Sequence, residues 1–80
     1  MKVIVNDRLI LYPTALVRGY DPDNKGEERS VFIKIECLKH DYNIACEDVN
    51  AAETLWAQFM IQDQSIDLRK YRHLAKFLQL

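Results

Sequence analysis

Apolar and polar residues alternate at a spacing of two through the first half of the chain, and at three to four through the second. Residues 2–5 and 9–12 are apolar and rich in β-branched side chains, with Asn6, Asp7 and Arg8 between them. A hairpin is predicted with its turn at Asn6 and Asp7, since both tolerate positive φ. That register sets Val5 opposite Arg8, Ile4 opposite Leu9 and Val3 opposite Ile10. Pro13 has no N–H to give to a ladder, so residues 14–20 read as a separate strand or a bent continuation. Residues 21–30 combine turn formers with charges and read as an exposed hairpin tip. Beyond it Val31, Ile33, Ile35 and Cys37 alternate with polar or bulkier neighbours, as do Tyr42, Ile44 and Cys46, and a turn within residues 38–41 would pair the two strands antiparallel.

The period then changes. Ala52, Leu55, Trp56, Phe59 and Met60 form one helical stripe, opened by Asn50 with Glu53 three residues on, in the manner of a capping box. After a polar connection at residues 62–65, Leu68, Tyr71, Leu74, Ala75 and Leu78 predict a second amphipathic helix capped by Ser65 or Asp67. Strands first and helices last give an α+β domain spanning residues 1–80: an antiparallel β-meander of about four to five strands, with two C-terminal helices packed on one face.

A domain of 80 residues with 49% hydrophobic and 29% charged residues is an ordinary folded one. At this size it buries only about 60% of its unfolded surface, which disfavours a deep catalytic cleft and favours a binding module or inhibitor. The net charge of −1 argues against strong non-specific attraction to nucleic acid or an anionic membrane. No apolar run approaches the ~20 residues of a membrane span, and residues 1–12 lack the core of a signal peptide, so the expected location is the cytoplasm.

The charges are unevenly distributed. Residues 1–46 balance seven against seven, residues 47–63 carry four acidic and no basic residues, and residues 66–80 carry four basic against one acidic. On the predicted second helix Arg69, Arg72, His73 and Lys76 fall on one face, with Lys70 on its flank. Such a stripe is either the solvated side of an amphipathic helix, with its cations favourably placed toward the C-terminus, or a phosphate-contacting surface. Phe77 and Leu80, like Ile61 on the first helix, lie off their apolar stripes and are candidates for an exposed partner surface. An acidic helix beside a basic one also permits reciprocal pairing in a homodimer.

Cys37, His40, Cys46 and His73 have the donor chemistry of a tetrahedral zinc site without its usual spacing, and Cys37 with His40 or His73 has the residue types of a nucleophile and base. Both cysteines occupy the apolar phase of their strands, which reads as small buried hydrophobes, although a disulfide is conceivable if the strands set them side by side. Asp21, Asp23, Asn24 and Gly26 resemble the start of a calcium loop, but Lys25 and Phe32 stand where its fifth and twelfth ligands belong. No phosphate loop, serine elbow or zinc-protease motif is present.

The expected function is therefore non-enzymatic, with no cofactor and no metal: a protein-interaction module, an adaptor or small inhibitor of the bacterial or phage accessory type. Its partner-binding residues are expected to be Arg69, Arg72, His73, Lys76 and Phe77, with the charged loop at residues 21–29 as a possible second surface. The alternative is a nucleic-acid binder using the same basic stripe.

Overall fold

The computed structural model describes residues 1–24 and 31–79. Two small sheets enclose the core. Strand β1 (Lys2–Asn6) alternates Val3 and Val5 inward, and β2 (Leu9–Leu11) returns antiparallel to it with Leu11 buried. The hairpin forms as expected, but its register differs. The turn centres on Asp7 and Arg8, closed by the Arg8 amide donating to Asn6 Oδ1 at 2.7 Å, and Val3 stands opposite Leu11 and Ile4 opposite Ile10. An irregularity between Ile4 and Asn6 absorbs the extra residue. The reason is facial: in the expected register Ile10 would take the inward position opposite Val3 and turn Leu11 outward, whereas the bulge keeps Val3, Val5 and Leu11 all in the core.

Pro13 ends that ladder. The chain crosses to a second, four-stranded sheet of order β3-β4-β5-β7, with β3 at Ala15–Gly19, β4 at Val31–Glu36, β5 at Asp41–Cys46 and β7 at Ala75–Gln79. These three strands run as the expected antiparallel meander, and Val31, Ile33, Ile35, Tyr42 and Ile44 are all buried on one face. On the opposite face the ring of Phe32 lies across Gly19, where a β-carbon would fall 2.2 Å from Cε2 of the ring. Gly19→Ala therefore has to displace the ring, and the expected result is a urea midpoint lowered by the equivalent of about 1 kcal/mol. An unchanged or raised midpoint would show that the ring is not held there.

Helix α1 (Val49–Ile61) crosses the inner face and buries Val49, Ala52, Leu55 and Phe59. Its N-cap is Asp48 rather than Asn50, with Asp48 Oδ1 accepting from the Ala51 amide at 2.8 Å, which draws Val49 into the first turn as a further core residue. Met60, expected on the buried stripe, is 52% exposed.

The expected second helix does not form. Residues 65–79 instead make a three-residue strand β6 (Ser65–Asp67), a short 3-10 helix (Leu68–Tyr71) and strand β7 (Ala75–Gln79). Strand β6 pairs parallel with β1, placing Ile66 beside Val3, so the first sheet has the order β2-β1-β6. Strand β7 pairs antiparallel with β5, placing Phe77 beside Ile44. Each strand completes the open edge of a sheet whose inner face is already buried, and that pairing outweighs a helical spacing that nothing else enforces. The core joins both sheets and the helix: Val3, Val5, Leu11 and Ile66 share a single cluster with Ile33, Ile35, Ile44, Leu55 and Phe59. The 25–30 stretch of the expected hairpin tip, and Leu80, lie outside the described residues.

Candidate interaction surface

Without the second helix, its basic stripe is dispersed. Arg69 sits in the 3-10 helix and is held by two carboxylates: its Nε donates to Asp67 Oδ1 at 2.9 Å, its Nη2 to Asp67 Oδ2 at 2.7 Å, and its Nη1 to Asp7. It ties the first hairpin turn to the end of β6. The hydrogen bonds from Arg69 hold the Asp67 carboxyl down at about 2, against its ordinary 3.8. A lowered carboxylate pKa contributes stability that is complete above the unfolded value and is lost as pH falls through the folded one. The expected result is that wild-type protein loses urea resistance between about pH 4 and about pH 2, and that Arg69→Ala flattens this part of the profile. Identical profiles for the two proteins would exclude the clamp.

The remaining residues expected to bind a partner do gather in one region, for a different reason. The turn between the 3-10 helix and β7 carries Arg72 and His73, and β7 follows at once with Lys76 and Phe77. Here the two sheets part, leaving a groove of about 400 Å³. Its floor is apolar: Val5 from β1, Ile44 from β5, Leu55 from α1 and Leu68. Tyr71, Arg72, Ala75, Lys76 and Phe77 complete its lining, which among the described residues contains no carboxylate. Among the described residues no carboxylate lies within 4.0 Å of Arg72 or Lys76. A second hollow of about 300 Å³ shares Arg72 and Lys76 and adds Cys46, Glu47 and His73.

Two aromatic side chains give the groove fixed walls. Phe77, expected to be exposed, is half-buried and stacks on Tyr42 with ring centroids 5.5 Å apart and planes inclined at 26°. Tyr71 is held at the C-terminal end of α1: its hydroxyl accepts from Gln62 Nε2 at 2.6 Å and donates to Gln58 Oε1 at 3.3 Å. A ligand entering the groove would meet walls already ordered.

The cysteines and histidines separate into two pairs at opposite ends of the β4–β5 hairpin. The Cys37 amide donates to the His40 carbonyl at the turn, whereas Cys46 pairs with Val31 at the far end and lines the second hollow with His73. Six steps of strand, about 20 Å, separate the two ends, so neither a disulfide nor a shared tetrahedral site can form in this fold. Burial raises both thiol pKa values, reinforced by Asp41 at Cys37 and by Asp48 at Cys46, which reaches about 11. This is opposite to the shift that activates a thiolate. Cys46 is accordingly expected to react with a thiol reagent at neutral pH far more slowly in the folded protein than in urea; equal rates would show an open, ionisable thiol.

The acidic helix finds its partner in β3. Glu53 accepts from the Tyr20 hydroxyl at 2.8 Å and lies 3.6 Å from Arg18 Nη2, and the Arg18 guanidinium stands 4.7 Å from the centroid of the Trp56 ring. Burial and Glu53 together push the Tyr20 phenol well above its usual range. This cluster fastens the edge strand to the helix, and nothing in the local sequence around Arg18 or Glu53 announces it. Ile61, off the helical stripe as expected, is 72% exposed. No helix among the described residues is long and apolar enough to cross a membrane.

No protein-family model, no curated protein and no solved structure matches the chain.

Proposed function

We propose that this chain is a non-enzymatic protein-interaction domain, an adaptor or small inhibitor, and that its partner seats on the groove bordered by Arg72, Lys76 and Phe77. One observation carries the reading: an apolar groove whose charged lining, among the described residues, consists of two cations. Surfaces that combine an apolar floor, ordered aromatic walls and a charged rim are the kind on which binding energy concentrates. Arg72, His73, Lys76 and Phe77 remain the binding residues of this proposal, with His73 reached from the adjoining hollow, while Arg69 serves as the clamp between β6 and the first hairpin.

The test is affinity purification from the cells that express the protein, comparing wild type with an Arg72→Glu/Lys76→Glu double variant whose fold is verified by circular dichroism, each with and without nuclease. The expected result is a stoichiometric protein that survives nuclease and is lost from the double variant. Recovery of nucleic acid, or of proteins that vanish on nuclease treatment, would overturn it in favour of phosphate binding through the same two cations. Equal recovery by both proteins would place the interface elsewhere.

A further inference from the structure

The groove runs beside an edge strand. Among the described residues β7 is hydrogen-bonded to β5 on one side and is the last strand of its sheet, so the backbone groups along its other side are not used by the sheet. The side chains of β7 alternate: Ala75 and Phe77 share a face with Cys46 and Ile44 of β5 and turn into the groove, whereas Lys76, opposite Ala45, lines the groove at its rim and leaves the strand from the other face. An additional strand laid along β7 would inherit this alternation, because residues opposite one another across a ladder share a face.

We infer that the segment the groove accepts is an extended peptide of alternating apolar and acidic residues, which adds to β7 as a further strand. This rests on the groove being the binding surface. Apolar side chains opposite Ala75 and Phe77 would turn toward the groove over Leu55 and Leu68, while an intervening Asp or Glu would stand beside Lys76 on the other face. Arg72, at the mouth of the groove, takes a second carboxylate where the peptide passes the turn. Main-chain hydrogen bonds give such an addition its affinity, and the pattern of alternate side chains gives its specificity. Five residues of β7 offer about 17 Å of edge, enough for a peptide of about five residues. An acidic peptide is favoured over a second copy of this chain, because a copy would bring its own Lys76 to the same edge.

The probe is a capped synthetic peptide of alternating Leu and Glu, titrated into the ¹⁵N-labelled full chain and followed by NMR. The expected result is saturable shifts concentrated in the amides of residues 75–79 and at Tyr71. Affinity should be at least about tenfold weaker for a peptide with Lys in place of Glu, and for Lys76→Glu protein with the original peptide. A peptide N-methylated on alternate residues, blocking the ladder, should also bind at least about tenfold more weakly. Equal binding of the N-methylated peptide would overturn strand addition while leaving the groove reading intact. Shifts confined to β3, the absence of saturable shifts up to the solubility limit, or self-association through β7 without peptide would each overturn the acidic-peptide assignment. The groove reading itself fails if the native partner is indifferent to Arg72→Glu/Lys76→Glu or proves to be nucleic acid.

Discussion

Phe59→Ala is expected to lower the unfolding free energy by about 3–5 kcal/mol, the range for truncating a fully enclosed aromatic side chain. Phe59 has no accessible surface and lies in the cluster that joins both sheets to the helix. For 80 residues the whole stability amounts to about 4–12 kcal/mol, so this one change removes a large part of it. At about 4–8 °C per kcal/mol for a domain of this size, the melting temperature should fall by more than about 12 °C. A calorimetric fall of less than about 5 °C would mean that the ring is not sealed between the layers. The conservative control is Phe59→Leu, which retains most of the volume and should recover more than half of the loss.

Ile66→Ala is expected to cost about 2–5 kcal/mol, and to do so unevenly across the molecule. β6 is only three residues long and Ile66 is its one buried side chain, 1% exposed and paired in register with Val3. With its anchor removed, β6 should release from β1 before the β3-β4-β5 meander opens, giving a local unfolding unit distinct from the rest. Hydrogen exchange would show protection lost first at residues 2–4 and 65–67, and then along β7, with β4 and β5 retaining theirs. Simultaneous loss at all sites would show that the two sheets open as one unit.

The elements that were legible in the sequence are those whose period is unambiguous over a local window. Val31, Ile33 and Ile35 against Tyr42 and Ile44 set out the central hairpin, and Ala52, Leu55 and Phe59 the helix. The last third misleads because two short periods imitate a longer one. Leu68, Tyr71 and Leu74 follow the three-residue spacing of a 3-10 turn, and Ala75 and Phe77 the two-residue spacing of a strand. Joined end to end they read as a helical stripe. What distinguishes them is pairing with β1, more than sixty residues earlier, and with β5, and neither contact has a local signature. Arg72, Lys76 and Phe77 emerge as neighbours on either reading because they are close along the chain. The groove itself needs Val5, Ile44 and Leu55 from three separate segments, and only the assembled fold brings those together.

The parallel pairing of β1 with β6 also sets an order of events during synthesis. A ribosome makes about 5–20 residues per second, so residues 65–67 follow residues 2–4 by several seconds. Throughout that interval the first hairpin has one strand edge without its partner, and Val3 and Val5 lack the Ile66 and Leu68 that complete their enclosure. The β3-β4-β5 meander, whose pairings are local, can form meanwhile, but the first sheet closes only once residues 65–67 have emerged. Non-local closure of this kind slows folding relative to a bundle of similar length. A nascent chain stalled before Ser65 should therefore bind a holdase chaperone through the segment of residues 2–11, and one stalled well beyond Gln79 should not.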